Sequence, residues 1–204
     1  EVRCVITNMD EPVGKAIGNS LEVVEAVRAL KGEMTDDVKE IVIALGTQMV
    51  LMAGLTVSSI EAESMIREAI SSGKAYNKFK ELVANQGGDI SYIEDTDKFE
   101  KAKYIIPVLA EKRGALKTIN TEMIGNISEY LGAGRIRIED TIDTAAGIMM
   151  NQRIGDIVEV GQALAYIYTN DESKIDGAVK NMKNAFELDP KRVARPKAIL
   201  GIIK

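Results

Sequence analysis

The chain has 204 residues, 46% hydrophobic and 28% charged, with 26 Lys and Arg against 31 Asp and Glu for a formal charge of −5. That length can bury a sizeable core, the composition is globular rather than disordered, and an acidic balance without any Lys/Arg-dense block argues against nucleic acid or an anionic membrane as partner. Histidine is absent and Cys4 is the single cysteine, which removes the commonest general base, the Ser-His-Asp and Cys-His arrangements, a Cys/His zinc cluster and an internal disulfide.

Val2-Arg3-Cys4-Val5-Ile6 predicts a buried strand over residues 2–7, ended by the polar stretch that carries Pro12 and Gly14. Asn19 is placed to cap a helix, accepting from the backbone three residues on while Glu22 reaches back. Leu21, Val24, Val27 and Leu30 then recur at helical spacing up to Gly32. A second helix is predicted over 36–53, with Val38, Ile41, Val42, Leu45, Met49 and Met52 as its apolar stripe and Gly54 closing it. A third runs from about 58 to 71, and a fourth over 75–85, stopped by Gln86-Gly87-Gly88. One strand beside four helices is too little sheet for an α/β domain, so the rest of that sheet is expected upstream. The opening at Glu1 rather than methionine agrees with a truncated or processed piece of a cytosolic protein. No apolar run of about 18 residues predicts a membrane span, and no signal-peptide pattern is present.

After Gly88 the pattern changes to short strands and turns, marking a boundary. Residues 104–110 and 114–119 read as strands paired around a Lys112-Arg113 turn, and 121–131 as a helix stopped by Gly132. Residues 154–169 read as strand, turn and strand, 174–188 as a helix, and 193–203 as an extended segment around Pro196.

Three collinear stretches carry a resemblance. The first is Ile6-Thr7-Asn8-Met9 with Pro12-Val13-Gly14 and Gly18-Asn19-Ser20-Leu21-Glu22-Val23. The second is Leu131-Gly132-Ala133-Gly134-Arg135 with Glu139-Asp140, Ile142-Asp143 and Gly147-Ile148. The third is Gly155-Asp156, Val158, Gly161 and Leu164-Ala165. Together they resemble the pyrimidine-nucleoside and thymidine phosphorylase family, with Asn8 and Glu11 standing where that family usually has Asp and Gln.

The resemblance implies an α/β tail over residues 1–88, comprising the last strand and helical layer of the family's large domain. An α+β C-terminal domain with antiparallel, barrel-sandwich-like sheet would follow over 89–204. It further implies a cytoplasmic homodimer whose full-length form binds a pyrimidine nucleoside and takes phosphate as co-substrate, releasing free base and pentose 1-phosphate. The family's Lys-x-His-Ser and Lys-x-Gly-x-Gly-Ala stretches, which bind base and phosphate, have no counterpart here, so no catalytic residue is assigned to this chain. It is expected to be inactive alone, as scaffold and cleft-closing part. By the same resemblance Val13, Ala16 and Glu25 match the family's site for a monovalent cation such as potassium, through backbone carbonyls and one carboxylate. The nearest other enzyme class is a related phosphorylase or phosphoribosyltransferase.

Two local patterns have plainer readings. Gly132-Ala133-Gly134-Arg135 has the glycines of a phosphate loop but lacks its Lys-Ser/Thr ending, and reads as a helix C-cap. Glu139, Asp140 and Asp143 read as a solvated turn or partners of Arg135 and Arg137. The 155–169 pattern is also shared with biotinyl and lipoyl carrier modules, yet Met149-Met150-Asn151-Gln152 occupies the candidate hairpin turn, and no lysine follows until Lys174.

Overall fold

The computed structural model describes residues 2–135 and 137–203; Glu1, Ile136 and Lys204 lie outside them. In chain order the elements are β1 (Cys4–Thr7), β2 (Ala16–Ile17), α1 (Asn19–Leu30), α2 (Asp36–Met52), α3 (Ser59–Ser71), α4 (Lys74–Asn85) and the single turn α5 (Ser91–Glu94). There follow β3 (Tyr104–Leu109), β4 (Gly114–Ile119), α6 (Thr121–Ser128), a wide π turn (Glu129–Ala133), β5 (Gly147–Met150), β6 (Ile157–Val158), β7 (Ala163–Thr169), α7 (Ile175–Asn184), β8 (Phe186–Asp189) and β9 (Ile199–Ile203). The result is a mixed α/β chain with several helices and antiparallel sheets, divided into two compact units. The first gathers Val24–Lys98 with both chain ends, up to Asn8 and from Lys197; the second is Met9–Val23 with Phe99–Pro196.

In the first unit the helices start and stop where local chemistry dictates. The Ser58 hydroxyl accepts from the Glu61 N–H at 3.3 Å to begin α3, and Gly73 in the left-handed conformation separates α3 from α4. Tyr76 on α4 donates to the Ile93 carbonyl at 3.0 Å, tying α5 to it. β1 pairs antiparallel with β9, Cys4 opposite Ile203 and Val5 opposite Ile202. Alternate residues of β1 are exposed, so the strand expected to be buried is covered only in part.

A second correction concerns α2. Of the six residues of its expected apolar stripe, Val42, Leu45, Met49 and Met52 are exposed and Val38 and Ile41 half-buried, whereas Ile43, Thr47 and Gln48 are buried. Gln48 is inward because its side-chain oxygen accepts from the Arg3 guanidinium at 3.2 Å, so a hydrogen bond offsets the cost of burying an amide.

The second unit holds the main core. Leu116, Ile124, Leu131, Ile148, Ile167 and Met182, each 2% exposed or less, pack in one cluster fed by β4, α6, β5, β7 and α7. Asn120 begins α6 by accepting from the Met123 N–H at 2.9 Å. A four-stranded antiparallel sheet runs β2-β5-β7-β3 and a three-stranded one β6-β4-β8. Both are open at their edges, so the barrel-like closure expected from the resemblance is not formed among the described residues.

Three local expectations are corrected here. β3 and β4 flank the Lys112-Arg113 turn without pairing, since β3 pairs with β7 and β4 with β6 and β8. β6 and β7, expected as one strand-turn-strand, belong to different sheets. The helix expected to reach residue 188 stops at Asn184. Phe186 and Leu188 instead alternate inward on β8 against β4, because pairing with an edge already formed outweighs helical propensity.

Candidate functional site

Apart from Ile6-Thr7-Asn8, which belong to the first unit, the motif-bearing residues lie within the second unit. β2 pairs antiparallel with β5, Ile17 opposite Ile148, and at the crossing Gly18 directly follows β2 while Gly147 opens β5. Gly18 has φ +141°, and a Cβ there would lie 2.6 Å from the Ala146 carbonyl oxygen. Gly147 has φ +154°, and its Cβ would collide with the Ile17 carbonyl. Only glycine tolerates both the conformation and the approach at these two positions.

Directly after the crossing, the Asn19 side-chain amide donates to the Ala133 carbonyl at 2.8 Å and the Ser20 N–H donates to the Thr144 carbonyl at 3.1 Å. The Gly18 N–H donates to Glu22 Oε1 at 2.9 Å. Glu22 thus reaches back as expected, but the Asn19 side-chain amide crosses to the glycine-rich loop instead of capping its own helix.

That loop is a helix end. Gly132, at φ +118°, closes the π turn. Its carbonyl accepts from the Asp143 N–H at 2.9 Å. Asp143 in turn accepts from the Ala145 N–H and the Asn170 side-chain amide, both at 3.0 Å. Asp140 accepts from the Arg137 backbone N–H at 2.8 Å. The loop meets Asn19 and Asp143 through carbonyl oxygens, whereas an anion cradle would present N–H groups.

The two motifs enclose a shallow cleft of about 220 Å³ lined by Gly18, Asn19, Glu22, Ser128, Glu129 and Gly134 among others. No lysine or arginine appears among its described lining residues, and two carboxylates do. Such a lining repels phosphate.

The third motif is joined to the first by an ion pair absent from the sequence expectations. Glu11 and Arg153 meet at 3.1 Å with side chains only 12% and 13% exposed. The other Glu11 oxygen accepts from the Ile154 N–H at 3.0 Å. Glu11 and Arg153 are 142 positions apart in the chain, so no local signal could have revealed the pair. Asp156 braces the same turn, accepting from the Arg153 N–H at 2.8 Å and from Arg195 at 2.5 Å. The candidate carrier hairpin is not a tip: Met149 and Met150 lie within β5, and the Asn151 and Gln152 N–H groups both donate to the Leu164 carbonyl.

Of the three residues matched to a cation site, Val13 is exposed in the loop before β2 and Ala16 is buried in β2, both in the second unit. Glu25 is half-buried on α1, in the part of that helix belonging to the first unit. Among the described residues no group of three or more His, Cys, Asp or Glu is placed to hold a metal ion, and no helix is long and apolar enough to cross a membrane.

Residues 115–189, which run from β4 through β8, match the model of the pyrimidine nucleoside phosphorylase C-terminal domain. The chain is 41% identical over 187 residues to a pyrimidine-nucleoside phosphorylase of Staphylococcus epidermidis, covering 92% of this chain and 43% of that protein. Its identity to the Bacillus subtilis pyrimidine-nucleoside phosphorylase is 43% over 173 residues, 85% of this chain and 40% of the relative. For the Staphylococcus aureus protein of the same name it is 41% over 184 residues, 90% and 42%. This chain belongs to the pyrimidine-nucleoside phosphorylase family. What it carries of that family is the C-terminal domain region, and it spans about two fifths of the length of the curated relatives it matches. In this phosphorylase region the motifs that carried the resemblance are interlocking parts of one scaffold: two glycines crossing, an amide bridging to a loop, and a buried ion pair closing the third turn.

Proposed function

We propose that this chain is the C-terminal part of an enzyme that cleaves pyrimidine nucleosides with phosphate to free base and pentose 1-phosphate, and that it braces and closes the reaction cleft. The observation that carries the reading is the interlock of the three motifs: the first two border a cleft lined by carboxylates, and the third is joined to the first by the Glu11–Arg153 pair. Phosphorolysis needs a cradle of cations and backbone N–H groups for its nucleophile, and donors for the charge growing on the departing base. Neither belongs to the motif residues of this chain. The base- and phosphate-binding residues are therefore assigned to the part of the family's length that this chain does not match. A rigid module beside a cleft contributes by excluding water and holding reactants in reactive geometry. A cytoplasmic homodimer is the assembly this reading expects.

The decisive experiment incubates the purified chain with inorganic phosphate and uridine or thymidine, and follows free base by chromatography. No release above the protein-free control is expected; sustained phosphate-dependent release of uracil or thymine would contradict the scaffold role.

The same reading assigns the carbonyls of Val13 and Ala16 and the Glu25 carboxylate to a monovalent cation such as potassium. The donor set is all oxygen with one negative charge, which fits a hard cation; three donors leave further ligands to water or to the rest of the family's chain. Bound there, the ion would supply a fixed positive charge and draw the strand-to-helix connection together. Potassium is expected to raise the thermal midpoint of the chain relative to choline at equal ionic strength, and Glu25→Gln to remove the difference. Equal midpoints in both salts would sink the assignment.

A further inference from the structure

α2 has two apolar faces and the first unit covers one. At about 100° per residue, Val42, Leu45, Met49 and Met52 fall within about 80° of arc, on the side opposite Ile43 and Thr47. Their exposures are 38%, 41%, 68% and 42%, whereas Ile43 and Thr47 are 8% and 7% exposed. Leu55, just past the helix end, is 65% exposed. A helix apolar on both sides is ordinarily covered on both. β1 shows the same incompleteness: among the described residues it pairs with β9 alone, and Ile6 is 44% exposed. A two-stranded ribbon by itself is marginal in water.

We infer that the Val42, Leu45, Met49, Met52 stripe of α2 is the seat of the portion of the phosphorylase chain that lies outside the matched region, packed as an apolar helix or sheet face. This rests on the functional reading above and names the partner of the first unit. The 187 matched residues are 43% of the Staphylococcus epidermidis relative, so more than half of a family chain is available to cover it. A second copy of this chain is the weaker occupant. One helix stripe offers on the order of a few hundred Å², against about 800 Å² per partner in a standard interface. A segment in the same polypeptide avoids the entropic cost of association.

The test is site-resolved thiol labelling of Met49→Cys, with Lys78→Cys on the exposed side of α4 as reference. Each is read by peptide mass spectrometry in two proteins: this chain, and a full-length chimera in which it replaces the matched region of the Staphylococcus epidermidis enzyme. In this chain both cysteines are expected to label at similar rates at every protein concentration. In the chimera Cys at 49 should slow at least about 100-fold while Cys at 78 is unchanged. Equally fast labelling at 49 in the chimera overturns the inference, and protection that rises with the concentration of this chain assigns the stripe to a second copy and overturns it too.

A second variant keeps the question open to refutation if the chimera does not fold. Leu45→Lys/Met49→Lys in this chain should lower binding of a hydrophobic dye and shift the thermal midpoint by less than about 2 °C; a collapse of the midpoint would show that the stripe is used internally and overturn the inference. Phosphorolysis by the chimera is scored separately. A protected but inactive chimera supports the seat and counts against the functional reading, while an active, unprotected one does the reverse.

Discussion

Gly147 and Gly32 separate two reasons for having a glycine. Both have positive φ, +154° and +98°, but a Cβ at Gly32 meets nothing within 4 Å, whereas one at Gly147 strikes the Ile17 carbonyl. Gly32→Ala is expected to cost about 1–2 kcal/mol from conformation alone. Gly147→Ala adds strand displacement on top, about 1–3 kcal/mol more for forcing atoms into a packed contact. Urea unfolding of both variants measures the difference, and equal losses would mean that β2 and β5 do not approach so closely. Glycines at residues 18 and 147 were legible as motif members; that they face each other was not, because 129 positions separate them and register is a property of the assembled sheet.

At the scale of elements, β2 is held by its pairing with β5, and the Glu11–Arg153 pair fastens the loop that leads into it. Breaking a buried pair by removing one partner leaves an uncompensated charge and costs about 3–5 kcal/mol. Glu11→Ala is therefore expected to destabilise the second unit by that order, and to speed hydrogen exchange at Ile154, whose N–H loses its acceptor. Unchanged exchange at Ile154 would argue against the contact. The helices α1 to α4 were readable from periodicity and closing glycines, because those signals act within one or two turns, whereas the Asn19 cap failed because its amide is drawn to the Ala133 carbonyl. The orientation of α2 was not, since its periodicity marks an apolar face without saying which neighbour takes it, and Arg3 draws Gln48 inward. The boundary between α7 and β8 failed for a related reason: Phe186, Glu187 and Leu188 fit either element until β4 supplies an edge.

For the whole molecule, surface ion pairs set a pH window. Glu187 is held below the ordinary carboxyl value of 4.5, first by its hydrogen bond to Lys117, then by Thr118 and the Lys117 charge; Glu111 is held below it by Lys183. Lys117 is raised above 10.5 by Glu187. A lowered carboxylate contributes stability that is complete above 4.5 and lost as pH falls through its folded-state value; a raised lysine contributes below 10.5 and loses it as pH climbs past its own. The thermal midpoint of the protein should thus exceed that of Glu187→Gln between those limits, by a small margin because the pair is exposed. The two should converge as pH drops below 4.5. A gap that persists undiminished at pH 3 would rule out the Lys117 pair as its source.

The amino-acid sequence alone determined the absence of histidine chemistry, the succession of helices α1 to α4, and the family through three ordered motifs. All of these are written in residue identity and short-range spacing. Tertiary structure decided which strands pair, which face of α2 is inward, which groups Glu11 meets, and that the glycine-rich loop meets its neighbours through carbonyls. Each of those depends on groups far apart in the chain meeting at contact distance, and no local pattern encodes that meeting.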